Sequence, residues 1–472
     1  MESVDAAPLL FTNLSAYAQD TWRAASRLTL TYGLRWEVNP PPTAREGKQL
    51  YAVVGLDNPT TMTVAPGAIY KTQYVNFAPR VGAAFALSRR AELESALRGG
   101  WGVFYDTGNS TAGNVAANFP NNSRRNFTNQ PYPLPQAVSA PPVITGALPI
   151  SPFGFRAFDP ELKLPRVYQW NLSFEQSLGA GQTITAGYVA AVGRRLLRLE
   201  LLQAATLNPN FLGNVTVTRG TATSDYHALQ LQFQRRLSRG LQALASYTWS
   251  HAIDVVSNDA SSLVRSDRLD PNLDRGDADF DVRHAVSAAV TYNFPKADLG
   301  AFADVLLNGW ALDSIFLARS ATPVNVLTGV ANLFGIQPRP NIVPGVPFYL
   351  DDPTLGGGQR INRAAFVAPT AGQQGNLPRN ALRSFPVWQL DLAVRRQFNL
   401  SDRSNLQFRA EMFNVLNHPN FGDPVRTLSS GLFGQADRML GRTLSPGGGA
   451  GFNPLYQIGG PRSIQLALRL QF

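Results

Sequence analysis

Apolar and polar side chains alternate with a period of two in about thirteen separate segments of this 472-residue chain. Residues 28–38, LTLTYGLRWEV, show the pattern most clearly. Their even positions hold leucine, tyrosine, tryptophan and valine, and their odd positions hold threonine, glycine, arginine and glutamate. Because successive side chains of a β-strand point to opposite faces, each such segment predicts a strand with one apolar face and one polar face.

The remaining segments follow the same alternation along the whole chain. The weakest is 14–22, because Asp20 interrupts its apolar face. The predicted strands lie near residues 14–22, 28–38, 75–87, 93–105, 167–178, 182–193, 226–237, 241–251, 284–294, 309–318, 387–398 and 405–414, and in the last segment, which ends at Phe472.

The connections between these segments are alternately short and long. A soluble antiparallel sheet also alternates in polarity, but a sandwich or a propeller has no reason to keep this order of lengths. Transmembrane β-barrels do keep it, with short periplasmic turns and long extracellular loops. The sequence therefore predicts an all-β antiparallel transmembrane barrel. The short connections are 23–27, 88–92, 179–181, 238–240, 295–308 and 399–404, and the long ones lie near 39–74, 106–166, 194–225, 252–283, 319–386 and 415–462.

Composition agrees with a wall that has lipid on one side and water on the other. Charged residues make up 16% of the chain, against about 25% in soluble globular proteins. No apolar stretch reaches the roughly 18 residues that a transmembrane helix needs. There is no cysteine, which excludes disulfides, thiolate metal sites and cysteine nucleophiles.

Tryptophans lie near both ends of the predicted strands. If Phe472 marks the periplasmic end of the last strand, the tryptophans and neighbouring aromatics fall into two levels, as in the aromatic girdles of membrane proteins. The predicted outer level holds Trp36, Trp101, Trp170, Trp249 and Trp388, and the inner level holds Trp22, Trp310, Tyr292, Phe294 and Phe472.

Positive charge is in excess, with a formal net charge of +10, but it does not form a basic stripe. Nucleic acid is therefore not the expected partner. A solvated lumen and contacts with lipid headgroups account for the arginines better. Lumen-facing arginines are expected at Arg35, Arg80, Arg98, Arg395, Arg409 and Arg469, with Glu37, Glu175, Asp391 and Glu411 as acidic partners, and in a complete receptor such groups could also contact a plug.

An acidic run in residues 273–284, LDRGDADFDVRH, allows two interpretations. Carboxylates at alternate positions suit calcium, but the glycine precedes the run and no bidentate glutamate follows at the required distance. A solvated loop is the favoured interpretation and calcium the open alternative. The carboxylates concerned are Asp274, Asp277, Asp279 and Asp281.

No sequence pattern indicates an active site or a cofactor. The four histidines lack metal-ligand spacing, and neither a GxSxG elbow nor a phosphate-binding loop appears in a suitable context. We therefore expect no catalytic, metal or cofactor residues and no enzymatic activity. The histidines are His227, His251, His284 and His418, the first three of them at strand ends.

Several stretches resemble the Oar-like TonB-dependent receptors, over most of the chain from about residue 14 to its end. Each motif alone is only weakly specific for the family, but the order and spacing of the motifs together are specific for it. The matching stretches are AYAQDTWRAASRLTLTYGLRWE (16–37), NFAPRVGAAF (76–85), LRGGWGVFYD (97–106), YHALQLQFQRRLSRGLQALASYTWSHAID (226–254), DRGDADFDVRH (274–284), RAEMFNVLNHPNFGDP (409–424) and the terminal strand.

The resemblance implies an outer-membrane receptor that takes up or senses a bulky extracellular ligand. Energy would come from an inner-membrane TonB-type complex acting on a plug domain. Such barrels have about 22 strands, so residues 1–472 are expected to form one partial barrel domain without plug or signal peptide. A passive porin-like channel or a structural surface protein is the alternative.

The resemblance also implies an assembly signal at the C-terminus, where apolar alternation ends in an aromatic residue. Leu468, Leu470 and Phe472 would carry that signal to the barrel-assembly machinery. The other expected partners are outer-membrane lipid and an extracellular ligand, whose identity and binding residues the sequence does not give.

Overall fold

One large antiparallel sheet dominates the fold. The computed structural model describes residues 2–6, 8–116, 121–126, 129, 133–135, 140, 155–202, 208–211, 213–257, 265–266, 270–295, 308–330, 337–371, 373–401, 404–443 and 459–472. Thirteen strands follow one another across the sheet in chain order. They are β1 (Leu14–Ala25), β2 (Leu28–Val38), β3 (Asn76–Ser88), β4 (Ser95–Tyr105), β5 (Arg166–Ser177), β6 (Gln182–Leu202), β7 (Val215–Ser238), β8 (Leu241–Asp254), β9 (His284–Asn293), β10 (Trp310–Arg319), β11 (Val387–Ser401), β12 (Ser404–Phe413) and β13 (Ser463–Gln471).

All thirteen strands overlap the segments predicted from alternation, and each connection predicted to be long is longer than the short connections on either side of it. One boundary prediction was wrong. Residues 194–225 were expected to be a long loop, but β6 continues to Leu202 and β7 begins at Val215, so the two strands form a tall hairpin. The register shifts between Gly193 and Arg198, which is a bulge at the level where the hairpin leaves the main wall.

The first and last strands form the edges of the sheet in the part of the chain that the structure describes. Every neighbouring pair along the path is antiparallel, for example β1 with β2 and β12 with β13. Strands β1 and β13 therefore run in the same direction, and the described sheet is an open wall. Closing it with antiparallel pairs alone would take an odd number of further strands between these edges.

The two faces of the wall differ as the alternation predicts. On β13 the large apolar side chains lie on one face and are exposed, from Ile464 to Leu470, whereas Gln465, Ala467 and Arg469 lie on the other. Leu231 on β7 is another apolar side chain of this face, opposite Ala186 and Tyr247 in register, and it is 39% exposed. Gln232, next in sequence, lies opposite Thr185 and Ser246 on the polar face.

We expect Leu231→Arg to destabilise the folded barrel by about 2–4 kcal/mol, because it places a charge against lipid near the membrane midplane. Gln232→Arg should have a much smaller effect, since its side chain meets water on the polar face. The measurement is the temperature at which each folded variant loses its fast mobility on a semi-native gel. Equal shifts for the two variants would contradict the assignment of the faces.

The long connections contain small secondary structures of their own. Six two-stranded sheets lie in the described residues, and three further short strands pair with strands of the main sheet. None of the described helices is long and apolar enough to cross a bilayer. The helical elements are Pro59–Thr61, Asn109–Ala116, Pro271–Asp274, Arg363–Ala365 and Leu440–Thr443, and the short strands are Glu2–Ala6, Leu9–Leu10, Thr43–Ala44, Tyr51–Val54, Thr63–Pro66, Asn122–Asn126, Phe155–Phe158, Arg265–Ser266, Gly276–Asp277, Pro323–Val324, Asn341–Ile342, Tyr349–Asp351, Gln359–Ile361, Phe366–Val367 and Leu382–Arg383.

The fully buried apolar clusters lie in these connections and on the tall hairpin. One cluster packs Met62 and Phe211 against Val215 and Val217 of β7. A second is built within residues 324–433 around Val326, Leu377 and Leu382. The loops therefore fold into a packed layer above one end of the wall, because their apolar side chains are buried against each other rather than against lipid.

Candidate functional site

Carboxylates and arginines from two connections, after β8 and after β10, meet residues of β6 and β8 in one cluster. The acidic run 274–281 provides four carboxylates, and Asp254 at the end of β8 provides a fifth. Most of the arginines come from elsewhere in the chain. We call this set the loop network, and it consists of Asp254, Asp274, Asp277, Asp279 and Asp281 with Arg198, Arg283, Arg339, Arg379 and Arg383.

Arg379 connects two of the long connections. Its Nη1 donates to Asp254 Oδ1 at 2.6 Å, and its Nη2 donates to Ser257 Oγ at 2.5 Å and to Asp279 Oδ1 at 3.1 Å. The side chains of Arg379 and Asp254 are 9% and 4% exposed. A buried carboxylate is stable only when it is paired, so this contact holds the connection after β10 against the end of β8.

Asp274 joins the tall hairpin to the connection after β10. Its Oδ2 lies 3.2 Å from Nη2 of Arg198, and its Oδ1 lies 2.9 Å from Nη1 of Arg339. Arg198 is almost completely buried, 3.6 Å from the buried Glu200, which also accepts a hydrogen bond from Thr221. The hairpin is thus bound laterally to the loop layer by charge as well as by apolar packing.

Asp277 and Asp281 share two arginines. Asp281 Oδ2 lies 2.7 Å from Arg383 and 3.0 Å from Arg283, and its Oδ1 accepts from the backbone N–H of Ala252. Asp277 contacts both arginines and lies 2.9 Å from His251 Nε2.

These contacts determine the protonation state of Asp277. Burial by itself would raise the pKa of Asp277, but the hydrogen bond from His251 and the charges of Arg383 and Arg283 outweigh burial and hold the pKa below its usual value. The folded state therefore gains stability from this carboxylate above the unfolded pKa of about 3.9, and loses it as pH falls through the lower folded value.

The solvated-loop interpretation of the acidic run is wrong for most of its members. Asp281 is 1% exposed and ion-paired, and Asp274 and Asp277 each contact two arginines. The described residues contain no group of three or more histidines and carboxylates arranged around a metal position. Arginines lie where the calcium alternative would need a cation, so the run acts as a set of anchors between loops.

Three of the four histidines contact aromatic rings. The prediction that His227 lies at a strand end was wrong, because β7 begins at Val215 and places His227 near its middle. Tyr188 Oη lies 2.7 Å from His227 Nδ1, and Tyr247 Oη lies 2.8 Å from His284 Nδ1. His418 stacks on Trp388 at 4.0 Å, and its burial lowers its pKa. His227 and His284 each sit diagonally across from the tyrosine of the neighbouring strand. If the pairing register of the neighbouring strands had been deduced from the alternation, it would have predicted the two tyrosine–histidine contacts.

Three of the six arginines expected to face the lumen form ion pairs on the polar face with acidic residues from the expected set. Arg395 pairs with Asp313 at 3.0 Å, whereas Asp391 accepts hydrogen bonds from Gln389 and from the backbone of Asn414. Arg80 lies over the ring of Phe104, and Arg469 is exposed on β13. The three ion pairs are Arg35–Glu37 at 2.6 Å, Arg98–Glu175 at 2.9 Å and Arg409–Glu411 at 2.7 Å.

A recess of about 240 Å³ opens beside β8, β9, β10 and β11 near the loop layer. Ser246, Ser287 and Leu317 are in register across the polar face, and Arg319 is the charged residue of the lining. Most of the lining side chains are apolar, and three hydroxyl groups and one guanidinium add polar contacts. The recess therefore suits a group with both apolar and polar parts.

A family model described as an outer membrane beta barrel domain matches residues 3–445 of the chain. No curated protein matches the sequence.

Solved structures with a similar arrangement come from several bacteria. The FrpB iron transporter from Neisseria meningitidis has 12% identity and a TM-score of 0.46, and the match covers 99% of this chain and 46% of that one. The outer membrane transporter YddB from Escherichia coli has 9% identity and a TM-score of 0.47, with 97% and 54% covered. The ferripyoverdine receptor of Pseudomonas aeruginosa has 10% identity and a TM-score of 0.45, with 97% and 38% covered. The chain thus spans between 38% and 54% of the length of these structures.

Proposed function

The chain belongs to the outer membrane beta barrel domain family, and we propose that it forms part of the barrel wall of a TonB-dependent receptor of the Oar-like kind. Its place is the bacterial outer membrane. The receptor would bind a bulky ligand at its extracellular loops and import it, or signal its presence, with energy from the inner membrane. We propose no enzymatic activity.

The observation that carries this proposal is the packed loop layer. The loop network and the buried clusters hold several long connections in a fixed arrangement above one end of the wall. A pore that passes small solutes needs only an open lumen, whereas recognition of a particular ligand needs groups held in fixed positions. The recess lined by Ser246, Ser287 and Arg319 lies next to this layer and is the candidate for a ligand contact inside the wall.

The proposed partners follow from this role. Lipid would contact the apolar face, an extracellular ligand the loop layer, and the barrel-assembly machinery the strand that ends in Leu468, Leu470 and Phe472. The TonB-type complex would act through a plug that fills the lumen, as in large transporters of this class.

Conductance separates this proposal from the passive-channel alternative. The receptor, purified from outer membranes of cells that carry its native gene, should give no steady conductance in planar bilayers bathed in potassium chloride, because its lumen is filled. A steady ohmic conductance would favour the porin-like alternative.

Uptake tests the energy requirement. Cells with and without the gene are grown in the same medium, and the medium is profiled by mass spectrometry. Compounds depleted only by the cells with the gene should cease to be depleted when an uncoupler collapses the proton gradient. Depletion that is unaffected by the uncoupler would contradict energised transport.

Orientation can be tested by cysteine labelling, since the chain has no native cysteine. Leu355→Cys lies in the long connection after β10, and Ala180→Cys lies in the tight turn between β5 and β6. In intact cells a membrane-impermeant maleimide should label the first variant and leave the second unlabelled. After the cells are broken open both should react, and labelling of Ala180→Cys alone in intact cells would invert the orientation.

A further inference from the structure

Two arginines hold one carboxylate at the upper end of β5, where the tall hairpin of β6 and β7 continues, and a third arginine lies beside them in register. Arg194 Nη2 donates to Asp225 Oδ1 at 2.7 Å, and Arg275 Nη2 donates to Asp225 Oδ2 at 2.6 Å. Arg166 lies directly opposite Arg194 in the register of β5 and β6. The arginine side chains remain accessible, with Arg194 39% and Arg275 37% exposed, whereas Asp225 is 15% exposed. We call these three arginines and Asp225 the rim cluster.

The rim cluster is on the apolar face of the wall. Along β5, Arg166 shares its side with Tyr168, Trp170 and the exposed Leu172. Asp225 shares its side of β7 with His227 and the exposed Leu229. The arginines therefore project from the surface that meets lipid, beyond the last apolar side chains, and do not project into the lumen.

The height of the rim cluster corresponds to the headgroup region. Trp170 lies opposite Trp101, and the ring of His227 lies 6.1 Å from that of Trp170. Such aromatic groups mark the boundary between acyl chains and headgroups. Arg166 is four residues further along β5, about 13 Å along the strand. In a strand tilted by about 40° this corresponds to roughly 10 Å of height.

Geometry and charge leave the rim cluster able to bind an anion. The cluster has three arginines and one carboxylate, and two of the arginines pair with that carboxylate, so the cluster carries a net positive charge. Arg194 also donates to the backbone oxygens of Gly193 and Ser224, and Arg275 donates to Thr223. These contacts fix the guanidiniums while using only part of the five donors that each one has. Arg166 lies over the ring of Tyr168 at 5.1 Å, and its position is opposite Arg194 in the register of β5 and β6.

We propose that the rim cluster binds the phosphate groups of a lipid in the outer leaflet of the outer membrane. Guanidinium groups match phosphate in charge and in the spacing of their donors. The aromatic residues below the cluster would contact the same lipid where its acyl chains begin. This inference rests on the orientation of the wall in the membrane, and it is independent of what the receptor transports.

The test compares phosphate-bearing lipid retained by the complete receptor and by two matched double variants. Arg166→Gln with Arg275→Gln removes two charges from the rim cluster. Arg98→Gln with Arg409→Gln removes two charges from the polar face. Each protein is purified in mild detergent, stripped of lipid, and mixed with vesicles of phosphatidylethanolamine that contain or lack bisphosphorylated lipid A. Bound lipid A is measured by native mass spectrometry.

We expect the rim variant to bind lipid A about tenfold more weakly for each guanidinium removed, which is the usual value of a charge-assisted hydrogen bond. The polar-face variant should bind like the unaltered receptor. A single Arg166→Gln variant, which removes only the contact with the Tyr168 ring, serves if the double variant fails to fold.

Three results would overturn the proposal. They are unchanged lipid A binding by the rim variants, an equal loss in the polar-face variant, and displacement of lipid A by millimolar inorganic phosphate. The last result would show a site for free anions rather than for a lipid headgroup.

Discussion

Arg379→Met will release the connection after β10 from the connection after β8 while leaving the barrel wall folded. Arg379 contacts Asp254, Ser257 and Asp279, and its Nη1 also donates to the backbone oxygen of Asp254 at 3.1 Å. Methionine fills much of the same space but leaves the buried Asp254 carboxylate without its ion pair. Removing one partner of a buried ion pair costs about 3–5 kcal/mol, and here the cost falls on the loop layer.

Protease digestion of intact cells measures this release. Cleavage within 255–283 or 320–386 should become much faster in Arg379→Met, whereas the heat-dependent gel mobility that reports the wall should not change. Arg438→Met is the matched control, because Arg438 pairs with its exposed neighbour Asp437 and such a pair contributes at most about 1 kcal/mol.

A second variant tests whether the unpaired charge is the cause. Asp254→Asn added to Arg379→Met removes the buried negative charge, so protease resistance should partly return. If the two single variants at Arg379 and Arg438 are cleaved at the same rate, the loop network does not hold the loops together.

The wall was predictable from sequence because its surroundings impose a local pattern. Each strand has lipid on one side and water on the other, so residues such as Leu229, Leu231 and Phe233 must alternate with glutamines. The upper half of the tall hairpin has no such difference between its faces. Leu199 and Leu201 on one face and Val215 and Val217 on the other are all buried. The short alternating stretches to which they belong, 197–201 and 215–218, are separated from the lower alternation by the mostly polar residues 194–195 and 219–225, so the lower strands were predicted to end there.

The loop network was only half visible for a different reason. Its carboxylates are close in sequence, and the acidic run indicated a cluster at 274–281. Their arginine partners are far away: Arg379 is 100 residues from Asp279, and Arg383 is 102 residues from Asp281. No local pattern links positions so far apart in sequence. From the sequence alone, solvent and calcium were therefore the two candidates for what neutralises the carboxylates.

Deleting Phe472 should lower the amount of protein in the outer membrane several-fold without changing its rate of synthesis. The ring is 97% exposed at the end of β13, and Leu470 and Leu468 on the same face are also exposed. Its removal should therefore cost the folded wall almost no packing energy. A loss of yield must then arise before the wall is complete, when the last strand is recognised by the assembly machinery.

Trp22→Ser provides the control that separates these two causes. Trp22 is an aromatic residue of the same predicted inner level on β1, the opposite edge of the sheet, and it is 56% exposed. Both changes remove one aromatic side chain from the membrane interface, so a purely interfacial effect would lower the two yields alike. Pulse-labelling gives synthesis, and immunoblots of outer-membrane fractions give yield. An insertion signal must lie at the chain terminus, where only Phe472 is found. We therefore expect only the deletion of Phe472 to lower the ratio of outer-membrane yield to synthesis. Equal yields for the two variants would remove the basis for assigning the signal to Leu468, Leu470 and Phe472.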